Sequence, residues 1–127
     1  MVDGQQTLCP GAARMIEAYE FGRIVVDGQT YTSDLILYPD RVQAGWWRRE
    51  GHELCPEDIA ELLAGRPQVL VVGTGSSGRL RVLPETESLL EERGIQLIAL
   101  PTDAACRTYN QLRRTGSHAF AALHLTC

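Results

Sequence analysis

The spacing of apolar residues changes once along the chain, near residue 55, and this change divides the sequence into two parts. Before it, apolar and polar residues alternate in short runs, which is typical of half-buried β-strands. The stretch IEAYEFGRIVVDGQTYTSDLILYP carries Asp27-Gly28 between RIVV and TYTSDLILY. This dipeptide favours a tight hairpin because the turn requires positive φ angles. We therefore predict a small antiparallel sheet in the first third of the chain.

After residue 55 the period becomes helical, and the helical segments alternate with unbroken apolar runs. CPEDIAELLAG has Pro56 at the first helical position and Gly65 at the end, as expected of a short helix. PETESLLEERG and TDAACRTYNQLRRTG follow the same pattern, with Thr102 as the expected N-cap of the third helix. Each helix precedes a strand: QVLVV and IQLIAL, predicted to be buried, and HAFAALHL, predicted to be a well-ordered strand of the sheet.

The order of these elements predicts the fold class. Helices and strands that alternate as α-β-α-β-α-β form a mainly parallel sheet flanked by helices. Residues 1–14 show no periodicity and are predicted to be a loose tail. The sequence therefore predicts one α/β domain over residues 15–127, in which an antiparallel β-subdomain comes first.

Composition excludes several classes of protein. The net charge is −4 and the pI is about 5.3, so counterion release would not favour nucleic-acid binding and we predict no nucleic-acid partner. No apolar run approaches the ~20 residues of a membrane span, and the first residues lack the charge and apolar core of a signal peptide. We therefore predict a cytoplasmic protein with no membrane partner.

The four cysteines, Cys9, Cys55, Cys106 and Cys127, contain no C-x-x-C pair. This spacing is unlike that of zinc sites, and cytoplasmic thiols are normally reduced. The three histidines are not spaced as metal ligands either. We predict free thiols, no metal site and no cofactor.

A glycine-rich loop follows the first buried strand, in VLVVGTGSSGRLRV, and matches G-x-G-x-x-G. A dinucleotide fingerprint requires the loop to enter a helix directly, whereas RLRVLP is strand-like. Two interpretations are left open. Either the glycines form a turn that lets layers of backbone pack closely, or the loop amides bind a small anion. The candidate anion-binding residues are Gly73, Thr74, Gly75, Ser76, Gly78, Arg79 and Thr102, and Arg81 could assist.

Two adjacent tryptophans followed by two arginines form the second unusual segment. Neighbouring residues in an extended chain point to opposite sides, so both tryptophans are not expected to enter one core. An exposed tryptophan beside arginine has the composition of a protein-interface hot spot. The candidate interface residues are Trp46, Trp47, Arg48 and Arg49; the alternative is that one tryptophan covers a sheet edge and the other packs inside.

Catalytic chemistry finds little support in the residue pattern. Cys106 could be a nucleophile if His124 were near, and Cys55 could be acidified at a helix N-terminus. The simpler interpretation of Cys106 is a buried thiol in the core. The simpler interpretation of Cys55 is that it stands, as a poor substitute, where a helix is usually capped by a hydroxyl. Asp34 in a strand-like run could be catalytic; the simpler interpretation is a strand-end residue that bonds backbone amides. We assign no catalytic residue, and Cys106 and Cys55 stay as weak candidates for a reactive thiol.

The chain resembles a family of small proteins that includes mitochondrial complex I assembly factor 3 and the adipogenesis-associated single-domain proteins. Bacterial and archaeal members of this family are known as a domain of unknown function. Five stretches between residues 16 and 127 carry the resemblance: YEFGRIVVDGQTYTSDLILYPD, GWWRREGHEL, VLVVGTGSSG, TDAACRTYNQL and AALHLTC. The resemblance implies a three-layer fold on a mixed central sheet. It supplies no catalytic residues, and its animal members act as assembly or regulatory factors.

These observations lead to one functional hypothesis and two alternatives. The leading hypothesis is a non-enzymatic, cytoplasmic accessory protein, similar to an assembly factor, that acts through contacts with a protein partner. The first alternative is a small-anion-binding or cofactor-binding protein that uses the Gly73–Gly78 loop. A cysteine enzyme is the third class.

Overall fold

The computed structural model describes residues 15–127. The predicted tail of residues 1–14, with Cys9, lies outside the described residues. The described part contains ten strands and three α-helices, in the order β1 (Ile16–Glu20), β2 (Arg23–Val26), β3 (Gln29–Tyr31), β4 (Leu35–Leu37), β5 (Val42–Ala44), β6 (Glu53–Leu54), α1 (Ala60–Leu63), β7 (Val69–Thr74), β8 (Arg81–Val82), α2 (Pro84–Glu92), β9 (Gln96–Leu100), α3 (Thr102–Arg114) and β10 (Ala119–His124). A 3₁₀ turn over Pro56–Ile59 leads directly into α1.

The predicted hairpin is present in the N-terminal sheet. Strands β1, β2 and β3 are antiparallel, and Val26 pairs with Gln29 across the turn. Asp27 and Gly28 have φ angles of 50° and 79°, both in the left-handed region that this turn requires.

The predicted run TYTSDLILY is not one strand, and this part of the prediction is wrong. The chain leaves the N-terminal sheet after Tyr31 and enters the central sheet at Leu35. Ser33 Oγ accepts a hydrogen bond from the Gly45 N–H, and the Asp34 carbonyl accepts one from the Trp46 N–H. These bonds to a different segment redirect the chain, so the first third of the sequence supplies strands to two sheets.

The central sheet has five strands in the order β5-β4-β10-β7-β9. Strands β10, β7 and β9 are parallel, whereas β4 and β5 add to the β10 side in antiparallel fashion. The predicted final strand is confirmed, and β10 is buried along its length at the centre of the sheet. The prediction that IQLIAL is buried is wrong, because β9 lies at the sheet edge and is half-exposed.

Two apolar layers cover the faces of the central sheet, which confirms the three-layer α/β fold. On one face α1 and α2 pack through Leu62 and Leu90 against Leu70 and Phe120. The other face is covered by α3 and the N-terminal sheet; the core residues here include Ile24, Ala105, Tyr109, Val71 and Leu123. A separate pair of parallel strands, β6 and β8, links the two loops that follow β5 and β7.

Candidate functional site

The carboxyl ends of β7 and β10 meet the glycine loop and the first residue of α3. This edge is where open α/β sheets usually bind ligands. The loop leads into β8 before α2 begins, as its alternating pattern predicts, so it does not run directly into a helix as a dinucleotide fingerprint requires.

Two glycines of the loop are required by close approach of the backbone. A Cβ atom on Gly73 would lie 2.9 Å from both the Thr102 hydroxyl oxygen and the Leu123 side chain. On Gly75, which has a φ of 101°, it would lie 2.6 Å from the Thr126 carbonyl oxygen. The loop is therefore packed directly onto the end of β10, as the structural interpretation of these glycines predicts.

Most amides proposed for anion binding donate to protein acceptors. The Gly75 N–H donates to Thr102 Oγ1 at 2.8 Å, and the Ser76 N–H donates to the Thr126 carbonyl at 2.7 Å. The Gly78 N–H donates to the Gly75 carbonyl at 3.2 Å. The side chains of Ser76 and Arg79 are exposed at the rim of the loop.

Thr102 joins the loop to β10 rather than capping its helix with its side chain. Pro101 occupies the N-cap position, and Thr102 is the first helical residue. Its hydroxyl donates to the His124 carbonyl at 2.6 Å while accepting from Gly75. The structure thus brings Thr102 to the glycine loop, as predicted.

A polar cluster of Asp34, Arg48 and His124 lies next to this junction. Asp34 Oδ2 accepts from Arg48 Nη1 at 2.9 Å and lies 2.8 Å from His124 Nδ1. Asp34 Oδ1 accepts from the Leu125 N–H at 2.8 Å. Arg48 also donates to the Gly51 carbonyl. The side chains of Arg48 and His124 are only 5% and 8% exposed, so the cluster is an interior ion pair.

Hydrogen bonds determine the charge state of the carboxyl group. Burial alone would raise the pKa of Asp34, but hydrogen bonds from His124, the Leu125 amide and Arg48 hold it below the ordinary value. His124 Nδ1 lies 2.8 Å from Asp34 Oδ2 and 3.1 Å from Arg48 Nη2, so it donates to the carboxylate in one tautomer and accepts from the guanidinium in the other. The buried Nε2 has no hydrogen-bond partner within residues 15–127.

An aspartate on Nδ1 with a free Nε2 is how a general-base histidine is oriented in hydrolases. Such chemistry also needs a nucleophile within hydrogen-bond reach of Nε2. Within residues 15–127 no hydroxyl or thiol bonds to that atom. The cluster as described therefore holds three chain segments together and lacks a paired nucleophile.

The two buried candidate thiols are poorly suited to reaction. Cys106 lies on the buried face of α3, and burial, with a smaller effect of Asp103, raises its pKa to about 12. Burial, followed by the charge of Asp58, raises the pKa of Cys55 as well. A thiol needs a lowered pKa to be a good nucleophile at neutral pH.

The two tryptophans have opposite environments, as their adjacency predicts. Trp46 is buried, its Nε1 donates to the Asp58 carbonyl, and the Arg48 guanidinium lies over its ring. Trp47 is 78% exposed. Arg49 is exposed and pairs with Glu57 at 2.8 Å. The candidate interface residues thus divide into an interior pair, Trp46 and Arg48, and a surface pair, Trp47 and Arg49.

Sequence reasoning missed the cluster as a unit. Its members were noticed singly, Asp34 as an acid in a strand-like run and His124 as a histidine in an apolar strand. A shared signal was available, since a charged or titratable residue inside an apolar run needs a partner.

Within residues 15–127 there is no group of three or more His, Cys, Asp or Glu side chains placed to hold a metal ion. None of the helices in this range is long and apolar enough to cross a membrane.

Comparison with known proteins gives a family and a set of similar folds. The family model "Protein of unknown function (DUF498/DUF598)" matches residues 16–124. The conserved hypothetical protein PH1505 from Pyrococcus horikoshii OT3 is 32% identical over 88% of this chain and 98% of its own, with a TM-score of 0.75. A Bartonella henselae protein described as an outer membrane protein is 28% identical, covering 93% of this chain and 98% of its own, with a TM-score of 0.77.

A Bordetella pertussis protein described as a Mth938-like domain is also similar in structure. It is 26% identical over 95% of this chain and 91% of its own, with a TM-score of 0.67. The family resemblance predicted from the sequence is confirmed.

Proposed function

The chain belongs to the DUF498/DUF598 family, and from this premise we propose that it is a non-enzymatic, cytoplasmic accessory protein that acts through contacts with a protein partner. One observation supports this proposal above the others, namely the exposed Trp47. Exposing a large aromatic ring forfeits hydrophobic stabilisation, and aromatic residues of this kind dominate the binding energy of protein interfaces.

The surroundings of Trp47 suggest the chemistry of the partner. Trp47 lines a surface concavity of about 400 Å³ together with Arg49 and three acidic residues, Glu57, Asp58 and Glu61. Arg49 is already paired with Glu57. The Asp58 carboxylate accepts from the Arg49 and Cys55 backbone amides. A lysine or arginine of the partner would meet the Glu61 carboxylate and the face of the tryptophan ring. We therefore propose that the partner presents a basic segment to this concavity.

The interior pair, Trp46 and Arg48, holds the backbone next to Trp47 in place. Trp46 and Arg48 are tied to Asp58 and Asp34, and these bonds fix the backbone on both sides of Trp47. A rigid anchor loses less conformational entropy on binding than a mobile one. An assembly role like that of the animal relatives named in the resemblance rests on family analogy alone.

The test compares two exposed aromatic residues. Wild-type protein, Trp47→Ala and the control Phe21→Ala are immobilised and used to capture proteins from lysate of the native host. Phe21 is 63% exposed in the turn between β1 and β2, away from the concavity. We expect a partner that is retained by wild type and Phe21→Ala, lost with Trp47→Ala, and released by moderate salt.

A specific partner held equally by all three proteins would contradict the assignment to this surface. Folding of each variant is checked by its melting temperature, which should change little because both rings are largely in solvent.

A further inference from the structure

A cavity of about 760 Å³ lies at the opposite end of the central sheet from the glycine loop. It opens between the carboxyl ends of α1 and α2, where β7 and β9 begin. Small-molecule sites typically occupy about 300–1,000 Å³. The cavity shares no residue with the Asp34 cluster or with the concavity at Trp47.

Apolar residues form part of the wall of this cavity. Leu63, Pro67 and Ile95 line it and are themselves buried. A ligand with an apolar body would therefore bury its surface here.

The charge of the lining is entirely positive, although the chain as a whole is acidic. Arg66 and Arg93 line the cavity, and no acidic residue does. Within residues 15–127 neither guanidinium has a hydrogen bond or an ion pair, in contrast to Arg48, Arg49 and Arg107. Guanidinium groups bind carboxylates through charge-assisted, often bidentate hydrogen bonds.

The position of Arg66 adds a further argument. Its φ is 51°, a left-handed conformation that glycine or asparagine adopts more readily. The preceding residue must be glycine, because a Cβ on Gly65 would lie 2.6 Å from the Phe120 ring. Backbone geometry therefore accounts for Gly65 and gives no reason for an arginine at 66. The Arg66 residue lines the cavity.

We propose that this cavity binds a small organic anion, in which a carboxylate meets Arg66 and Arg93 and an apolar body lies against Leu63 and Ile95. The site is independent of the protein-contact surface proposed above. Its ligand class is an aromatic or aliphatic monocarboxylate; inorganic anions lack the apolar body and should bind more weakly.

The experiment is a titration of ¹⁵N-labelled protein with 2-naphthoate, followed by amide chemical shifts, and a parallel titration with the neutral 2-naphthylmethanol. We expect saturable shifts centred on Ala64, Gly94 and Ile95, and binding of the alcohol at least about tenfold weaker. Arg66→Gln/Arg93→Gln should weaken naphthoate binding at least about tenfold. The control Arg107→Gln/Arg114→Gln removes the same charge from two exposed arginines on α3 and should change the affinity less than about twofold.

Equal affinity for the acid and the alcohol would overturn the proposal, since the arginines would then contribute nothing. It would also be overturned by shifts that map to another surface, by equal losses in both double variants, or by no saturable binding at about 10 mM. All four substituted arginines are exposed, so each spectrum should keep the wild-type dispersion that shows the fold is intact.

Discussion

The polar groups at the two ends of the central sheet differ in whether they are bonded within the protein. At the carboxyl end, Thr102, His124 and Asp34 are bonded within the protein, and Gly75 brings the backbone into direct contact. At the amino end, Arg66 and Arg93 have no partner in the described part of the chain and border open space. The end that α/β folds usually offer to ligands is closed here. Available space and unpaired charge, more than position in the fold, indicate where a ligand can bind.

The largest expected effect comes from removing charge at the closed end. Asp34→Asn keeps the shape of the side chain but leaves Arg48 buried without its carboxylate, and breaking a buried pair typically costs about 3–5 kcal/mol. We expect the free energy of unfolding to fall by about 3 kcal/mol, measured by urea denaturation. The exposed pair of Glu53 and Arg81 is the control, and Glu53→Gln should cost less than about 1 kcal/mol. If Asp34→Asn and Glu53→Gln lowered the free energy of unfolding by equal, small amounts, the Asp34 cluster would not contribute to the stability of the fold.

Gly75→Ala tests close packing at the same end. The new methyl group would meet the Thr126 and Cys127 carbonyl oxygens within 2.8 Å, in addition to adopting a positive φ. Gly116 has a positive φ of 82° but nothing within 4 Å, so Gly116→Ala isolates the cost of φ. In denaturation experiments we expect the free energy of unfolding to fall by about 1 kcal/mol in Gly116→Ala and by about 2–3 kcal/mol in Gly75→Ala. Similar values for the two variants would show that the loop can move away from β10.

Acid should remove the contribution of the Asp34 carboxylate to the free energy of unfolding. The pKa of Asp34 is lowered in the folded protein, so its contribution is present above the unfolded pKa of about 3.9 and is lost as pH falls through the folded pKa. The difference in unfolding free energy between wild type and Asp34→Asn should therefore shrink between about pH 5 and about pH 2. A difference that stays constant over this range would show that the carboxylate charge is not what stabilises the cluster.

Thiol labelling measures how accessible the buried thiols of Cys106 and Cys55 are in the native protein. Because the pKa of Cys106 is about 12, native protein should label slowly at Cys106 at about pH 8, and Cys127 should react because it is exposed. A Cys9→Ser/Cys127→Ser variant leaves only Cys55 and Cys106, and mass spectrometry after alkylation reads both. We expect labelling of these two sites only in denaturant. Rapid labelling of the native variant would revive the cysteine-enzyme hypothesis.

The smallest expected effect is that of inorganic anions on the glycine loop. Anion binding at this loop stays a prediction from the sequence, but the amides of Gly75, Ser76 and Gly78 already have acceptors. We expect millimolar phosphate or sulfate to leave the melting temperature unchanged relative to chloride at equal ionic strength. A saturable rise that disappears in Arg79→Gln would support the anion site and weaken the contrast between the two ends.

Local pattern was sufficient for most elements of the fold. The Asp27-Gly28 turn, the prolines that begin the helical segments and the apolar runs each act over a few residues, so one sequence discloses them. The alternation of Trp46 and Trp47 is local in the same sense. The half-exposure of β9 was not predictable this way, because an apolar run does not tell whether a strand has a neighbour on its second edge.

The polar cluster could not be derived from the sequence because it depends on long-range pairing. Asp34 and His124 are separated by 90 residues, and they meet only because β4 pairs with β10. Asp34, an acid before an apolar run, indicates a strand end, but no nearby residue indicates that the chain changes sheets there. The arginine cavity is equally non-local, since it joins the ends of two helices that β7 and β8 separate along the chain.

The central position of β10 has a consequence for the order in which the protein is made. Every strand that borders β10 precedes it in the sequence, and in residues 15–127 the two-residue β6–β8 pairing is the only other strand pairing between the β5-β4 side and the β7-β9 side. During translation both pairs leave the ribosome as partly apolar surfaces linked by this short pairing, and the central sheet is completed when β10 inserts between them. Ribosome-bound chains that end before residue 119 should therefore be protease-sensitive and attractive to chaperones, and the sheet closes in one late step.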